Sequence, residues 1–430
     1  IIIGGGVVGT ALLYTLSNYT NVPSMSLLEA HDQIGAVNSH HNNNSQTLHF
    51  GDIETNYTVA KAKKVNKGAV MVKRYVERCK GQLCNKTHKM VLAVGHEQVA
   101  KLKKRFEEFK HLFPKLKLVE RKEIAKLEPK VVEGRDPKQE IAALVSPDGY
   151  AINFRLLSEA FVDDAIKSDK KVDLFLGTCV RKIRRRKGKY VIHADTGNYV
   201  APVVLVCAGS HSLIMAKQLG YGKQWGLLPV AGSFFGTKET MLNGKVYTMQ
   251  MKKLPFAAIH GDPAVTNPNE TRFGPTAKVL PMLERHNYKT IPDFLKTSVW
   301  SIRGILSLIN IISDWTLLRY VVRQFTYDLP FIGKRRFIKE VRKIVPTLKL
   351  SQLRYRKGYG GIRPQIVDTN EMRLVMGDAM LEGDNIIFNI TPSPGASVCL
   401  QNAYIDTKKV MKMFRGKFRF NEKKFLKEHS

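Results

Sequence analysis

Gly4, Gly6 and Gly9 stand at G-x-G-x-x-G spacing in IIIGGGVVGTALLYTL, and an acid, Glu29, follows in SMSLLEA. The chemistry such a set serves is the binding of a dinucleotide. Gly4 permits a tight turn, Gly6 lets the backbone approach a pyrophosphate, and Gly9 lets a helix lie close to its strand. The helix N-terminus offers N–H groups to the phosphates, and a carboxylate about 20 residues past the last glycine suits the ribose hydroxyls. A second concentration of polar groups follows at once in HHNNNSQTLHFGD, residues 40–52. So many amides and imidazoles make either a solvated loop or the wall of a ligand site.

The glycines act only if the surrounding elements place them. Ile1 to Ile3 and SMSLLEA read as short buried strands, and the segment between them carries apolar residues at helical intervals. Strand, helix, strand and acid therefore occur in the required order; a glycine turn without a ligand is the plainer alternative. The fingerprint alone does not separate NAD from FAD. An NAD enzyme should continue with short strand and helix units, whereas here the polar run intervenes and a second nucleotide-domain signature, TPSPGASVCLQNA, lies near the C-terminus. Two chain ends sharing one flavin site fit that arrangement better.

The chain has 430 residues and is 43% hydrophobic, enough for a sizeable core in two domains or one elaborate α/β unit. Its five cysteines, Cys79, Cys84, Cys179, Cys207 and Cys399, are scattered, with no CxxC pair and no zinc spacing. A reducing compartment and no metal are expected. The formal net charge of +32 calls for an acidic partner: nucleic acid, anionic lipid or a dianionic substrate. No RNP-like aromatic block, zinc finger or GXXG clamp accompanies the basic runs, so nucleic acid is not expected. The chain begins inside an apolar run without an initiator Met, and the expectation is that a natural N-terminus, with any targeting sequence, has been lost.

SQTLHFGDIETNY, RFGPTA at 272–277 and GGIRPQ at 360–365 resemble the malate:quinone oxidoreductase family, within the wider group of FAD enzymes that includes L-2-hydroxyglutarate dehydrogenase and D-amino-acid oxidase. The likeness continues through SPDGYAINFRLLSEAF at 146–161, VLVCAGSHS at 204–212, PFAAIHGDP at 255–263 and TPSPGASVCLQNA at 391–403, in the family's order. It implies an FAD-dependent oxidation of L-malate to oxaloacetate with a membrane quinone as electron acceptor. A 2-hydroxyglutarate dehydrogenase on the same scaffold, or a basic flavoprotein that chiefly binds RNA or protein, are the alternatives. By resemblance, Asn43, Asn44, Ser45, Gln46 and Thr47 wrap the flavin between pyrophosphate and ring, their amides and hydroxyls meeting its polar edge. Val180 lays backbone against the adenine, and Ala208 and Gly209 close over the cofactor. Gly361 lets its loop approach the flavin, and Pro394, Gly395, Ala396 and Ser397 complete the binding set. His49 stays open between packing on the ring and a structural hydrogen bond, and His40 to Asn42 carry no assignment.

The same resemblance selects His260, in PFAAIHGDP, as the base that takes the substrate hydroxyl proton, since imidazole titrates near neutral pH. A buried histidine satisfied by backbone is the bland alternative. Arg363 and Arg272 are the candidates for a dicarboxylate, because a guanidinium pairs two carboxylate oxygens at once; either is equally able to serve as an ordinary ion pair.

SVWSIRGILSLINIISDWTLLRYVVRQF, residues 298–325, is the most apolar long segment, and its uncharged run is about half of what a bilayer span requires. On a helix Arg303, Ser307, Asn310 and Asp314 form a narrow polar stripe, and Ile305, Leu308, Ile309, Ile312, Trp315 and Leu318 cover the rest. That pattern suits a helix buried in a domain or one lying in the lipid interface. The basic run from Lys334 to Lys357 favours the interface, giving a monotopic enzyme on an anionic lipid surface. The mitochondrial inner membrane is the expected address, or a bacterial inner membrane if the source is prokaryotic.

The fold class expected is α/β, with α+β character in an inserted part. A discontinuous Rossmann-like FAD-binding domain takes residues 1–75, 145–225 and 355–430. A substrate domain takes 76–144 and 226–354, with a mixed or antiparallel sheet over the flavin and a membrane-association segment at 298–357.

Overall fold

In a computed structural model, which describes residues 1–430 apart from 80–82, 251–257, 300, 314, 376–378 and 391–393, the opening apolar run forms the strand Ile2–Ile3 inside a six-stranded sheet. Its strands are ordered Ala379–Gly383, Ile386–Ile390, Val204–Val206, Ile2–Ile3, Ser24–Leu28 and Lys171–Phe175. All neighbours run parallel except the first pair. Such strands are covered on both faces. Accordingly the helix Val7–Tyr19, packed by Phe154–Ile166 and Cys399–Met413, buries Leu12, Leu13 and Leu16. A three-stranded antiparallel sheet, Val180–Arg186, Lys189–Ala194 and Gly197–Ala201, adjoins it, with Arg184, Arg185 and Arg186 all exposed at the end of its first strand.

The inserted part is built on an eight-stranded mixed sheet ordered Arg354–Arg356, Phe234–Gly236, Asn267–Gly274, His260–Ala264, Lys245–Thr248, Cys84–Val94, Ile141–Ile152 and Lys117–Glu120. Only Lys245–Thr248 against Cys84–Val94 is parallel. One face packs Met90, Leu92 and Phe235 against Phe337, Val341 and Ile344 of the helical segment that follows. A four-stranded sheet, Lys278–Val279, Trp225–Ala231, Ile362–Asp368 and Arg373–Val375, stands beside the nucleotide half and carries Arg363 opposite Val230. The strand Ile141–Ile152 runs across residue 145, and Ile362–Asp368 pairs with Trp225–Ala231, so the two halves share strands at these seams.

Residues 298–325 form two helices, Ile302–Ser313 and Trp315–Thr326. Asp314 lies outside the described residues. The rest of the polar stripe faces protein: Ser307 Oγ donates to the carbonyls of Arg303 and, at 3.5 Å, Thr369, Asn310 Nδ2 donates to the Met372 carbonyl, and Arg303 reaches Asn370. The apolar residues divide: Ile302, Ile305, Leu306 and Ile309 are exposed, whereas Ile311 is buried with Leu228 and Val367 and Leu308 packs against them.

Candidate active site

A cavity of about 830 Å³ opens between the glycine turn, the loop from Ala36 to His49, the strand start at Gly361 and the turn at Pro394. Its wall includes Gly4, Gly6, Glu29, Asn43, Asn44, Ser45, Thr47, Val180, Ala208, Gly209, Gly361, Arg363, Pro394, Gly395, Ala396 and Ser397. Gly9, Gln46, His260 and Arg272 are not on it.

At the nucleotide end Gly4 adopts φ +108°, a conformation that L side chains avoid. Gly9 sits so close to the strand that a Cβ there would stand 2.0 Å from the Gly4 carbonyl oxygen, which is the packing role its spacing predicts. The carboxylate of Glu29 accepts from the Gly5 N–H at 2.6 Å and the His31 N–H at 2.9 Å. Each oxygen keeps a further lone pair for a ribose hydroxyl. Gly6 stands at the N-terminus of the first helix and offers no side-chain cap, and Ser39 Oγ accepts from Val7 N. Ser210 Oγ, also on the wall, is buried with no hydrogen-bond partner among the described residues, an orphan that a bound polar group would satisfy. The residues present fit FAD.

The asparagine run, whose Asn43 and Asn44 line the cavity, also folds its own loop. Asn43 Nδ2 donates to the Val37 carbonyl at 2.8 Å, and Asn44 Nδ2 donates to the carbonyls of Asn38 and His40. Gln46, at φ +56° and buried, gives its side-chain N–H to the His41 carbonyl and accepts from Val265 N. These amides fold the loop, as Asx motifs do, so their donors are engaged before a cofactor arrives. Asn38 adds a clamp, donating to the Ile362 carbonyl and accepting from Ile362 N. Across that seam Gly361 lies where a Cβ would be 2.5 Å from the Asn43 carbonyl oxygen. No larger residue lets the two loops meet.

His260 sits behind this wall. It is 2% exposed, with Nε2 3.2 Å from Asp262 but not aligned for a hydrogen bond, and its ring lies 4.7 Å from that of Tyr247. Burial lowers its pKa to about 4, against the opposing pull of Asp262. Asp262 also receives Arg272 Nη2 at 2.9 Å and Lys245 Nζ at 3.2 Å. Burial opposes ionisation of Asp262, but Arg272 and Lys245 together hold it well below the usual carboxylate range. Lys245 Nζ donates onward to the Ser45 carbonyl at 2.6 Å, and the Arg272 guanidinium reaches the carbonyls of His41, Asn44 and Ser45 over the Phe234 ring. The group is a sealed ionic bracket for the back of the cofactor loop. Arg272, expected to meet a substrate carboxylate, already has one in Asp262.

Arg363 differs. It is on the cavity wall, and no carboxylate of the described residues pairs with it. Burial lowers its pKa, with Tyr247, Tyr57 and Tyr320 the groups that counter it. Also on the wall is His49, whose Nδ1 lies 2.6 Å from Glu54 Oε1 and whose backbone N–H donates to Ser397 Oγ. Sequence reasoning missed Glu54, Ser39, Asn38, Lys245 and Asp262. Two of them had a signal: Glu54 falls inside SQTLHFGDIETNY, and Asp262 stands two residues after His260, on the same strand face.

The sequence model of the malate:quinone oxidoreductase (Mqo) family matches residues 1–428. The chain belongs to the malate:quinone oxidoreductase family. It is 40% identical over 440 residues to the probable malate:quinone oxidoreductase of Campylobacter jejuni, covering 100% of this chain and 98% of that one. It is 40% identical over 422 residues to the malate:quinone oxidoreductase of Helicobacter pylori strain J99, covering 95% and 93%. Among solved structures the family member's fold matches glycine oxidase from Geobacillus kaustophilus with a TM-score of 0.67 at 15% identity, over 96% of this chain and 94% of that one. It matches L-α-glycerophosphate oxidase from Mycoplasma pneumoniae with FAD bound with a TM-score of 0.68 at 17% identity, over 97% and 95%. The malate:quinone oxidoreductase family is FAD-dependent, in keeping with the cavity described above.

Proposed function

We propose that the chain oxidises L-malate to oxaloacetate at the Arg363 end of the cavity, with bound FAD as the immediate electron acceptor and a quinone as the final one. The observation that carries this reading is Arg363 itself, a half-buried guanidinium on the cavity wall left without a carboxylate among the described residues. Such a charge is costly to bury alone, and a substrate carboxylate completes it. A guanidinium fork binds the carboxylate through two oxygens and so fixes the orientation of the neighbouring C2 as well as its position. When bound, FAD supplies the acceptor for the C2 hydrogen and its electron pair. Phe234 and Pro275, on the same wall, make that end apolar and strengthen the ionic contact. 2-Hydroxyglutarate is one methylene longer, a difference a pocket discriminates by about 1–3 kcal/mol, and membership of the malate family weighs against it.

The quinone requires access to lipid. Exposed Ile302, Ile309, Trp315 and Phe331 lie beside exposed Arg335, Arg336 and Lys339, which supports an apolar face seated in an anionic lipid surface. No described helix is long and apolar enough to cross a membrane. The relatives named above are bacterial, so they lend the expected mitochondrial address no support, and the reading places the chain on a membrane surface alone.

The test is anaerobic mixing of the purified holoprotein with L-malate or L-2-hydroxyglutarate, followed by a short-chain quinone. Bleaching of the flavin absorbance faster by malate, then its return on adding quinone, is the expected result. No bleaching by either acid sinks the reading. Sedimentation with anionic and neutral vesicles tests the lipid surface: equal binding to both, or no binding, overturns it.

A further inference from the structure

Oxidation of a secondary alcohol to a ketone removes two hydrogens. The C2 hydrogen leaves with both electrons of its bond, for which bound FAD would supply the acceptor. The hydroxyl O–H bond breaks in the other sense, leaving its electrons to form the C=O bond, so a bare proton must go to a protein group. We infer that this group is Nε2 of His49, with Glu54 as the residue that positions it; the inference rests on the malate reading above.

Three observations lead there. His49 lines the cavity that also holds Arg363, whereas His260 is sealed behind Tyr247. Its Nδ1 lies 2.6 Å from a Glu54 carboxylate that is 4% exposed. Against burial, the hydrogen bond from His49 and the charge of Lys89 hold Glu54 below the usual carboxylate range, so the acid is ionised and can only accept. The proton of the neutral imidazole therefore sits on Nδ1 and the lone pair on Nε2. No described residue hydrogen-bonds Nε2.

The placement is rigid at both ends. The His49 backbone N–H is held by Ser397 of the cofactor wall, and the Glu54 carbonyl accepts from Arg105 at 2.7 Å. Neighbouring Asp52 is paired with buried Lys89 at 2.7 Å. The charged and titratable groups around the imidazole are thus Glu54 directly, Lys89 and Arg105 behind it, and Tyr247, whose ring is 6.4 Å away. A carboxylate behind a histidine fixes its tautomer and stabilises the imidazolium that forms as the proton arrives.

The experiment is the pH dependence of the rate of anaerobic flavin reduction by L-malate in wild type, His49→Asn and Glu54→Gln, each with its FAD content measured. His49→Asn is expected to slow reduction about 100- to 10,000-fold and to remove the acid limb of the profile, with malate affinity changed far less. Glu54→Gln is expected to retain that limb but move it to lower pH, because a neutral amide no longer favours the protonated ring. A second readout needs no turnover: diethyl pyrocarbonate should carbethoxylate His49 in the holoprotein, and L-malate should protect it, with exposed His96 as the unprotected internal control. A His49→Asn enzyme that holds FAD and keeps the wild-type rate and limb overturns the inference, as does labelling at His49 that malate leaves unchanged. A wild-type enzyme that malate does not reduce would instead sink the malate reading itself, which separates the two failures.

Discussion

The molecule contains two groupings of a histidine, a carboxylate and an arginine, and they do opposite things. Behind the wall, His260, Asp262 and Arg272 form a closed set with Lys245, in which the ionised groups already have partners inside the protein. On the other side His49 and Arg363 line the cavity and, with Glu54 buried behind His49, form an open set: the acid is taken by the histidine, and the arginine has no acid among the described residues. Residue type does not separate these groups. What separates them is which charge is left without a counterpart and whether a small molecule can reach it. A closed ionic set positions a loop; an open one selects a ligand of the missing charge.

The largest expected effect comes from Arg363→Ala, which removes the open charge. Truncating one partner of a charged contact costs about 2–5 kcal/mol, so kcat/KM for malate should fall roughly 30- to 4,000-fold in steady-state quinone reduction, with FAD content unchanged. A fall below threefold would place the substrate carboxylate elsewhere. Asp262→Asn, in the closed set, should act on stability: Lys245 and Arg272 lose their anion, at a cost of about 3–5 kcal/mol, read as an earlier urea midpoint and poorer FAD retention. An unchanged midpoint would mean that the bracket carries nothing.

A smaller effect follows from His260. Its folded pKa, lowered to about 4, is below the ordinary value of about 6.5. Between those values the unfolded chain binds a proton that the folded one refuses, so this contribution is fully present above pH 6.5 and is lost as the pH falls toward 4. The loss attributable to His260 is at most about 3 kcal/mol. Buried His429, lowered to about 3 by burial, adds to the same slope. Urea melts of His260→Asn between pH 7 and pH 4 should therefore show a shallower decline than wild type, and an identical decline would mean that His260 is protonated in the fold.

How much of this was legible beforehand follows from how local each feature is. The nucleotide end was legible because Gly4, Gly9 and Glu29 act through backbone geometry fixed by spacing, and the strand–helix–strand order constrains where they meet. The role of the asparagines was not, because composition says that amides are present but not whether their donors turn to a ligand or to their own loop. Arg272 and Arg363 looked alike in sequence. Their difference comes from strand register, which sets Asp262 opposite Arg272 and leaves Arg363 opposite Val230. The amphipathic segment was legible as such, and the basic run favoured exposed apolar residues, but the partners of its polar stripe, Thr369 and Met372, lie far along the chain and were not legible.

The comparison is tested most directly by one measurement: the single-turnover rate of flavin reduction by L-malate in His49→Asn and His260→Asn, side by side, with both proteins matched for bound FAD. The chemistry assigned to the open set predicts a loss of at least about 100-fold in His49→Asn and a rate within a few-fold of wild type in His260→Asn. The opposite order, with His260→Asn slow and His49→Asn fast, would contradict it and return the proton to the sealed histidine.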